Sequence, residues 1–307
     1  METLLHTLKI HLETTLYGKP DVIEHTMVAA LAGGHLLVED LPGVGKTTLG
    51  RAAAILLGGD FQRVQFTADL MPSDLTGVNI FHPREGNFIF QPGPIFCHVL
   101  LADEINRASP KVQSSLLEAM GEGQVSIDRK THILPKPFWV IATQNPLDFE
   151  GTYPLPESQL DRFMLSTSVG YPDTQVEQEI LRDGGGHKTL ESMKAIFTPD
   201  SWHAEQMKVN QVRVDESIIQ YLLTIVQRTR SHELINVGVS TRGALSWLHA
   251  CKARAIIKGR AYVTPHDVKS LAVPALAHRL SSKSRVGHRS ERISLIETIL
   301  KHTPVPR

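Results

Sequence analysis

Cysteine, aromatic side chains, net charge and long apolar runs are all scarce in this chain, and each scarcity excludes something. Only Cys97 and Cys251 occur in 307 residues. They form no C-x-x-C pair and no disulfide framework, which fits a reducing compartment. No H-E-x-x-H, G-x-S-x-G or C-x-x-C string is present, so zinc proteolysis, hydrolase-elbow chemistry and dithiol redox chemistry lack a motif. The 15 histidines are scattered without ligand spacing. The best uncharged stretch, residues 25–38, carries His35 and a Gly33-Gly34 pair and is too short to cross a bilayer as a helix. The first twelve residues, with Glu2 and Lys9, lack the order of a secretory signal. No membrane span and a cytoplasmic location are therefore expected. The remaining composition, 41% hydrophobic and 21% charged, excludes collagen-like and disordered classes, and the length suggests about two domains.

The zero net charge conceals an asymmetry. Residues 1–199 hold 15 Lys and Arg against 24 Asp and Glu, whereas residues 200–307 hold 17 against 8. A basic second half would permit nucleic-acid contact. Its cations, however, are spaced singly along helical patterns, and with 6% aromatic residues there is no aromatic-interleaved basic patch. Two domains of opposite sign facing each other, within a chain or between subunits, is the favoured reading, and nucleic acid is not expected as a partner.

Residues 1–172 alternate short apolar runs with helical stretches, the pattern of a mainly parallel sheet covered by helices. Strands are expected at 35–39, 63–66, 99–102 and 138–143, each apolar enough to be buried on both faces. Between 71 and 96 the alternation breaks into short β-like pieces such as 87–90, punctuated by Pro72, Gly77, Pro83, Gly86, Pro92 and Gly93. Residues 121–137 read as a hairpin turning near Asp128-Arg129. Beyond residue 172 helices dominate, with candidates at 174–182, 215–230, 241–258, 265–279 and 291–301. Thr264 reads as an N-cap ahead of Pro265. The expectation is an α/β domain over residues 1–172, interrupted near 71–96 and 121–137, followed by a helical domain over residues 173–307.

The strongest chemical signal is the run Asp40-Leu41-Pro42-Gly43-Val44-Gly45-Lys46-Thr47, between the strand at 35–39 and a helix expected from Thr48. Strand, glycine-rich loop and helix together form a phosphate-binding P-loop. Gly43 and Gly45 let backbone N–H groups turn inward around phosphate oxygens. Lys46 would neutralise β/γ-phosphate charge, and the Thr47 hydroxyl would ligate Mg²⁺. The strict pattern requires glycine where Asp40 stands; Asp tolerates left-handed backbone better than most residues, and its carboxylate must point away from the phosphates.

A second element, the apolar strand at 99–102, ends in Asp103-Glu104. Alone this is more often a strand edge at the surface, but downstream of a P-loop it becomes specific. Asp103 would hold Mg²⁺, directly or through water, and Glu104 would polarise the attacking water. Ser109-Pro110 would start a helix running through Met120, with Ser109 as its N-cap. A third element is the strand tip Thr143-Gln144-Asn145-Pro146. Its Asn145 either orients that water or merely opens a turn before Pro146. Arg162 and Arg242 are two further arginines that carry no role on their own pattern.

Together these strings resemble the AAA+ ATPases and, within them, the MoxR family. The resemblance rests on the residues from Leu41 to Thr47, from Ala102 to Gln113, from Ala142 to Pro146 and from Glu150 to Phe163, and spans roughly residues 15–280. It implies a P-loop NTPase core with a central five-stranded parallel sheet, an all-α lid, and assembly into a ring, most often a hexamer. By resemblance, Pro42, Gly43, Val44, Gly45, Lys46, Thr47 and Thr48 form the nucleotide loop (Walker A), Asp103 and Glu104 form Walker B, and Asn145 is sensor 1. Arg162 corresponds to the arginine finger offered to the neighbouring subunit, Arg242 to sensor 2, and Tyr17-Gly18 to the adenine pocket. The 71–96 and 121–137 segments correspond to inserts facing the pore of the ring. Asp128-Arg129 stands where relatives often turn on Asp-Gly. The implied activity is ATP hydrolysis with Mg²⁺, driving chaperone-like remodelling or activation of client proteins together with a von Willebrand factor A-domain partner. Two competing readings share the core: a nucleic-acid motor or loader, and a chelatase-like scaffold that binds ATP and turns it over negligibly.

Overall fold

A computed structural model describes residues 4–40, 43–84, 86–145, 151–183, 187–283 and 289–306. The central sheet has five strands, here β1 (His35–Glu39), β2 (Phe61–Gln65), β3 (Val99–Asp103), β4 (Trp139–Gln144) and β5 (Phe163–Thr167), in the order β2-β3-β4-β1-β5. It is the expected parallel sheet. Phe61 pairs with Val99 and Gln65 with Asp103 across β2 and β3, and Val99 pairs with Trp139 across β3 and β4. Every residue of β1, β3 and β5 is buried, as strands covered on both faces require.

Two sequence expectations need correcting here. The segment expected at 63–66 starts two residues earlier, and Gln62, Arg63 and Gln65 on it are exposed. It is an edge strand, so its apolar signal is confined to alternate positions. The fifth strand, β5, was not among those read from the sequence. Its Phe-Met-Leu run ends in Ser166 and Thr167, which are buried in spite of their hydroxyls.

The irregular stretch from 71 contains a short helix, Pro72–Thr76, and an antiparallel hairpin pairing Gly77–His82 with Asn87–Pro92. A second hairpin pairs Gln124–Ile127 with Lys130–Ile133. Its two-residue turn places Asp128 and Arg129 at φ 47° and 68°, the mirror-image geometry that suits strand twist and favours Asn, Asp and Gly. Asn79 Nδ2 donates to Asp128 Oδ2 at 2.7 Å, tying one hairpin to the other.

Two compact units divide the chain. The first comprises Met1–Pro20, Leu37–Leu155 and Ser168–Trp202, and the second Asp21–Leu36, Pro156–Thr167 and His203–Arg307. In the first, Leu49, Ala53 and Leu56 of helix Lys46–Leu57 and Val112 and Leu116 of helix Pro110–Glu122 are fully buried. Ser109 does precede that second helix, but its hydroxyl makes no capping hydrogen bond. Among the described residues no helix is long and apolar enough to cross a membrane.

The second unit contains helices Glu216–Ser231, Thr241–Ile257, Pro265–Leu276 and Arg289–His302. Asp215, Ser240 and Thr264 cap three of them through their side chains. The Thr264 cap is reciprocal: Asp267 Oδ2 accepts from the Thr264 N–H at 2.8 Å. Asp267 is wholly buried and also accepts from Arg254 Nη1 at 2.6 Å and Arg260 Nη2 at 2.7 Å. Burial alone would raise its pKa, but the hydrogen bonds from Arg260, Thr264 and Arg254 overcome this and bring it down to about 2, against 3.8 unperturbed. A depressed carboxylate stabilises the fold above its unfolded pKa and loses that contribution as pH falls through the folded one. The Asp267 network is therefore expected to contribute about 2 kcal/mol at neutral pH that disappears between about pH 4 and pH 2. Urea titrations of the wild type and Asp267→Asn should show stabilities that converge over this window. A gap that stays constant with pH would contradict the assignment.

Candidate nucleotide site

Strand β1, between β4 and β5, delivers the chain to the sheet's carboxyl edge, where open α/β sheets bind their ligands. Gly43 and Gly45 follow at φ 82° and 92°, a region that side chains with a Cβ seldom enter. A Cβ built on Gly43 would meet nothing within 4 Å, so it would project into the open cradle of the loop. The helix begins at Lys46, two residues earlier than the sequence pattern implied, with Gly45 as its N-cap. Thr47 and Thr48 therefore sit in a first turn whose N–H groups have no partner within the helix. Pro42, also expected to contribute, lies outside the described residues.

Lys46 is buried, and its ammonium donates to the backbone carbonyl of Asp40 at 3.0 Å. Burial pushes its pKa down, opposed by the negative charges of Asp103, Asp40 and Glu104. A buried ammonium that closely follows two glycines and is stabilised by the charge of three carboxylates suits a polyanion bound with a divalent cation.

Asp40 resolves its own departure from the P-loop pattern. Among the described non-glycine residues only Glu104, Asp128 and Arg129 have positive φ, so Asp40 does not use the left-handed conformation anticipated for it. Its Oδ2 instead accepts from the Gly170 N–H at 2.6 Å and the Ser168 hydroxyl at 3.1 Å. The carboxylate is spent on the segment that follows β5.

At the tips of β3 and β4 the side chains form one network. The Thr143 hydroxyl donates to Asp103 Oδ1 at 2.6 Å and accepts from the Glu104 N–H at 2.9 Å. Asp103 Oδ2 accepts from Arg63 Nη2 at 2.7 Å and Nε at 3.2 Å. Glu104 adopts φ 56°, ψ 50° and caps a single 3₁₀ turn, Ile105–Arg107. Such a conformation costs about 1–3 kcal/mol in a residue with a side chain and concentrates at functional positions. Its Oε2 accepts from Gln65 Nε2 at 2.8 Å and lies 3.3 Å from Arg107 Nη1. Asn145 is buried one residue beyond β4, and its carbonyl accepts from Asn106 Nδ2 at 3.4 Å.

Beside the loop lies a cavity of about 360 Å³ walled by Tyr17, Lys19, Gly43, Thr48, Tyr171 and Leu181 among others, a volume suited to a small organic ligand. Tyr17 is on its wall. Gly18 is not: it turns at φ 69°, where a Cβ would stand 3.0 Å from Val176.

The two remaining arginines belong to the second unit. Arg162 is half-buried after the short helix Glu157–Leu160, and Arg242 is exposed as the second residue of helix Thr241–Ile257. Asp161 lies between them chemically. Its Oδ2 accepts from the Ser240 hydroxyl at 2.8 Å, and its Oδ1 from Arg279 Nε at 2.7 Å. Sequence reasoning missed Arg63, Gln65, Thr143, Asp161 and Arg279. The alternation of Arg63 and Gln65 on one face of a short strand was the only available hint of the first two.

Comparison with known proteins agrees with this architecture. Residues 35–165 match the ATPase family associated with various cellular activities (AAA), and residues 227–297 match the AAA lid domain. The chain is 46% identical to the YeaC protein of Bacillus subtilis over 270 residues, covering 88% of this chain and 84% of that one. It is 38% identical to Chaperone MoxR1 of Mycobacterium tuberculosis over 288 residues, covering 90% and 76%. A crystal structure of a candidate ATPase from Cytophaga hutchinsonii superposes with a TM-score of 0.89 at 36% identity, covering 99% of this chain and 95% of that one.

Proposed function

The chain belongs to the MoxR family of AAA ATPases, and we propose that it hydrolyses MgATP to drive chaperone-like remodelling or activation of client proteins. The observation that carries this reading is a buried Lys46 directly after the positive-φ glycines Gly43 and Gly45, together with Asp103 and Glu104 joined through the Thr143 hydroxyl at the carboxyl edge of the sheet. The Thr47 hydroxyl and the Asp103 carboxylate are hard oxygen donors of the kind Mg²⁺ prefers. Bound there, the ion would neutralise charge on the phosphate oxygens.

The residues divide the work. The backbone of Gly43, Val44 and Gly45 and the ammonium of Lys46 hold the phosphates. Tyr17 and Thr48, with Pro42 and Gly18 alongside, are assigned to the nucleotide. Glu104 takes the proton of the attacking water, and Asn145 orients that water for in-line displacement. Arg162 is assigned to the γ-phosphate held by the adjacent subunit of a homo-oligomeric ring, hexameric as the family most often is, and Arg242 to reporting nucleotide state to the lid over residues 173–307. A von Willebrand factor A-domain protein is the proposed partner, and the cytoplasm the proposed location.

Phosphate release by the purified protein tests the reading. Glu104→Gln removes the proton acceptor and keeps the shape, so turnover is expected to fall by about 10²–10⁴ while ATP remains bound. A variant that binds ATP and hydrolyses it at the wild-type rate would remove Glu104 from this role. A wild type that binds ATP without turnover would favour the scaffold reading instead.

A further inference from the structure

Both oxygens of Asp103 accept hydrogen bonds from neighbouring side chains. Thr143 holds Oδ1, and Arg63 holds Oδ2 through two guanidinium nitrogens. The Asp103 side chain is 11% exposed and that of Arg63 is 48% exposed. The carboxylate is thus fixed, whereas the cation facing it has open solvent into which to withdraw. Arg63 is also linked onward. Its Nη2 donates to Gln65 Oε1 at 3.3 Å, and the Gln65 amide donates to Glu104 Oε2. Metal-binding carboxylate, arginine, glutamine and water-activating carboxylate therefore form one continuous chain along the edge of the sheet.

We propose that Arg63 is a placeholder for the divalent cation: it neutralises Asp103 while the site is empty, and the arriving metal displaces it. The inference rests on the assignment of Asp103 to Mg²⁺ and of Glu104 to water activation. Two positive charges cannot share one carboxylate oxygen cheaply, because the repulsion between them is strong at this range and little screened near the protein. Once Arg63 withdraws, Gln65 loses the donor that fixes its amide oxygen, and its hold on Glu104 loosens. Metal arrival is then transmitted to the catalytic carboxylate by side chains alone. A plain structural tie between β2 and β3 would have no such dependence on metal.

The test is equilibrium binding of a fluorescent ATP analogue to the full chain, with Mg²⁺ titrated against EDTA, for the wild type, Arg63→Gln and Arg63→Lys. Arg63→Gln is expected to weaken metal-free binding about tenfold, because Asp103 is left to repel the triphosphate. It should lower the Mg²⁺ concentration for half-saturation by a similar factor, the scale of one charge-assisted hydrogen bond. Arg63→Lys, which keeps the charge without the fork, should fall between them. Combined with Gln65→Ala, Arg63→Gln should keep its effect on the Mg²⁺ dependence of binding, since that effect runs through Asp103 and not through Gln65. Equal changes with and without metal would overturn the placeholder role and leave the ATPase reading intact. A wild type that binds no nucleotide at either extreme would sink the ATPase reading, and this inference with it.

Discussion

Arg162→Ala is expected to lower steady-state ATP hydrolysis by about 10³–10⁵, the range over which an arginine finger acts in nucleotide triphosphatases, while ATP affinity changes no more than about twofold. The split follows from where the charge is needed. In phosphoryl transfer through a loose transition state, negative charge shifts onto the leaving β–γ bridging oxygen while the transferring group's equatorial oxygens remain charged, so a guanidinium placed there raises kcat and contributes little to ground-state binding. If the group comes from the neighbouring subunit, subunit mixing gives a sharper result than the single variant. Arg162→Ala subunits retain an intact nucleotide site, and Lys46→Ala subunits retain the arginine. Each alone should be nearly inactive, and a mixture should recover part of the activity. Phosphate release from mixed and unmixed samples at equal total concentration is the measurement. A mixture no more active than its components would refute action between subunits, and an Arg162→Ala protein with normal turnover would refute the role itself.

What could be read in advance was chemistry written in consecutive residues. The P-loop, the Asp103-Glu104 pair and the Thr264-Pro265 helix start depend on neighbours in sequence, and short-range rules reach them. The unread features depend on partners far along the chain. Arg63 meets Asp103 only because β2 lies in parallel register beside β3, and nothing in the hydropathy of an edge strand announces that pairing. In sequence the strand tip points to the Asn145 amide, yet the Thr143 hydroxyl joins Asp103 to Glu104. Asp40 departs from the motif in sequence, whereas its carboxylate is held by Ser168 and Gly170, more than a hundred residues away. β5 escaped because its last two residues are hydroxylic, and their burial is decided by the sheet around them rather than by their own hydropathy.

The second large effect is one of stability, at a residue that no motif marks. Arg279 is 4% exposed. Its Nε donates to Asp161 Oδ1, its Nη1 to the carbonyls of Met164 (3.1 Å) and Ala275, and its Nη2 to the carbonyl of Phe163 at 2.6 Å. Burial pulls its pKa down, offset by the hydrogen bond and the charge of Asp161. His278 beside it is fully buried and held neutral by that burial, and its Nε2 donates to the same Phe163 carbonyl. Arg279→Met keeps most of the volume and removes every donor to Asp161 Oδ1, to the carbonyls of Asp161, Phe163, Met164 and Ala275, and to the Ser246 hydroxyl. The loss on breaking a buried pair from one side is about 3–5 kcal/mol. Denaturant unfolding should show this, and removing the stranded charge as well, in Arg279→Met with Asp161→Leu, should return part of it. The same variant bears on activity. Asp161 immediately precedes Arg162 and receives the hydroxyl of Ser240, the cap of the helix that carries Arg242. With its anchor gone, hydrolysis in the folded fraction should fall while ATP still binds. A loss of stability under about 1 kcal/mol, with activity unchanged, would show that this buried guanidinium is not what holds the two arginines in place.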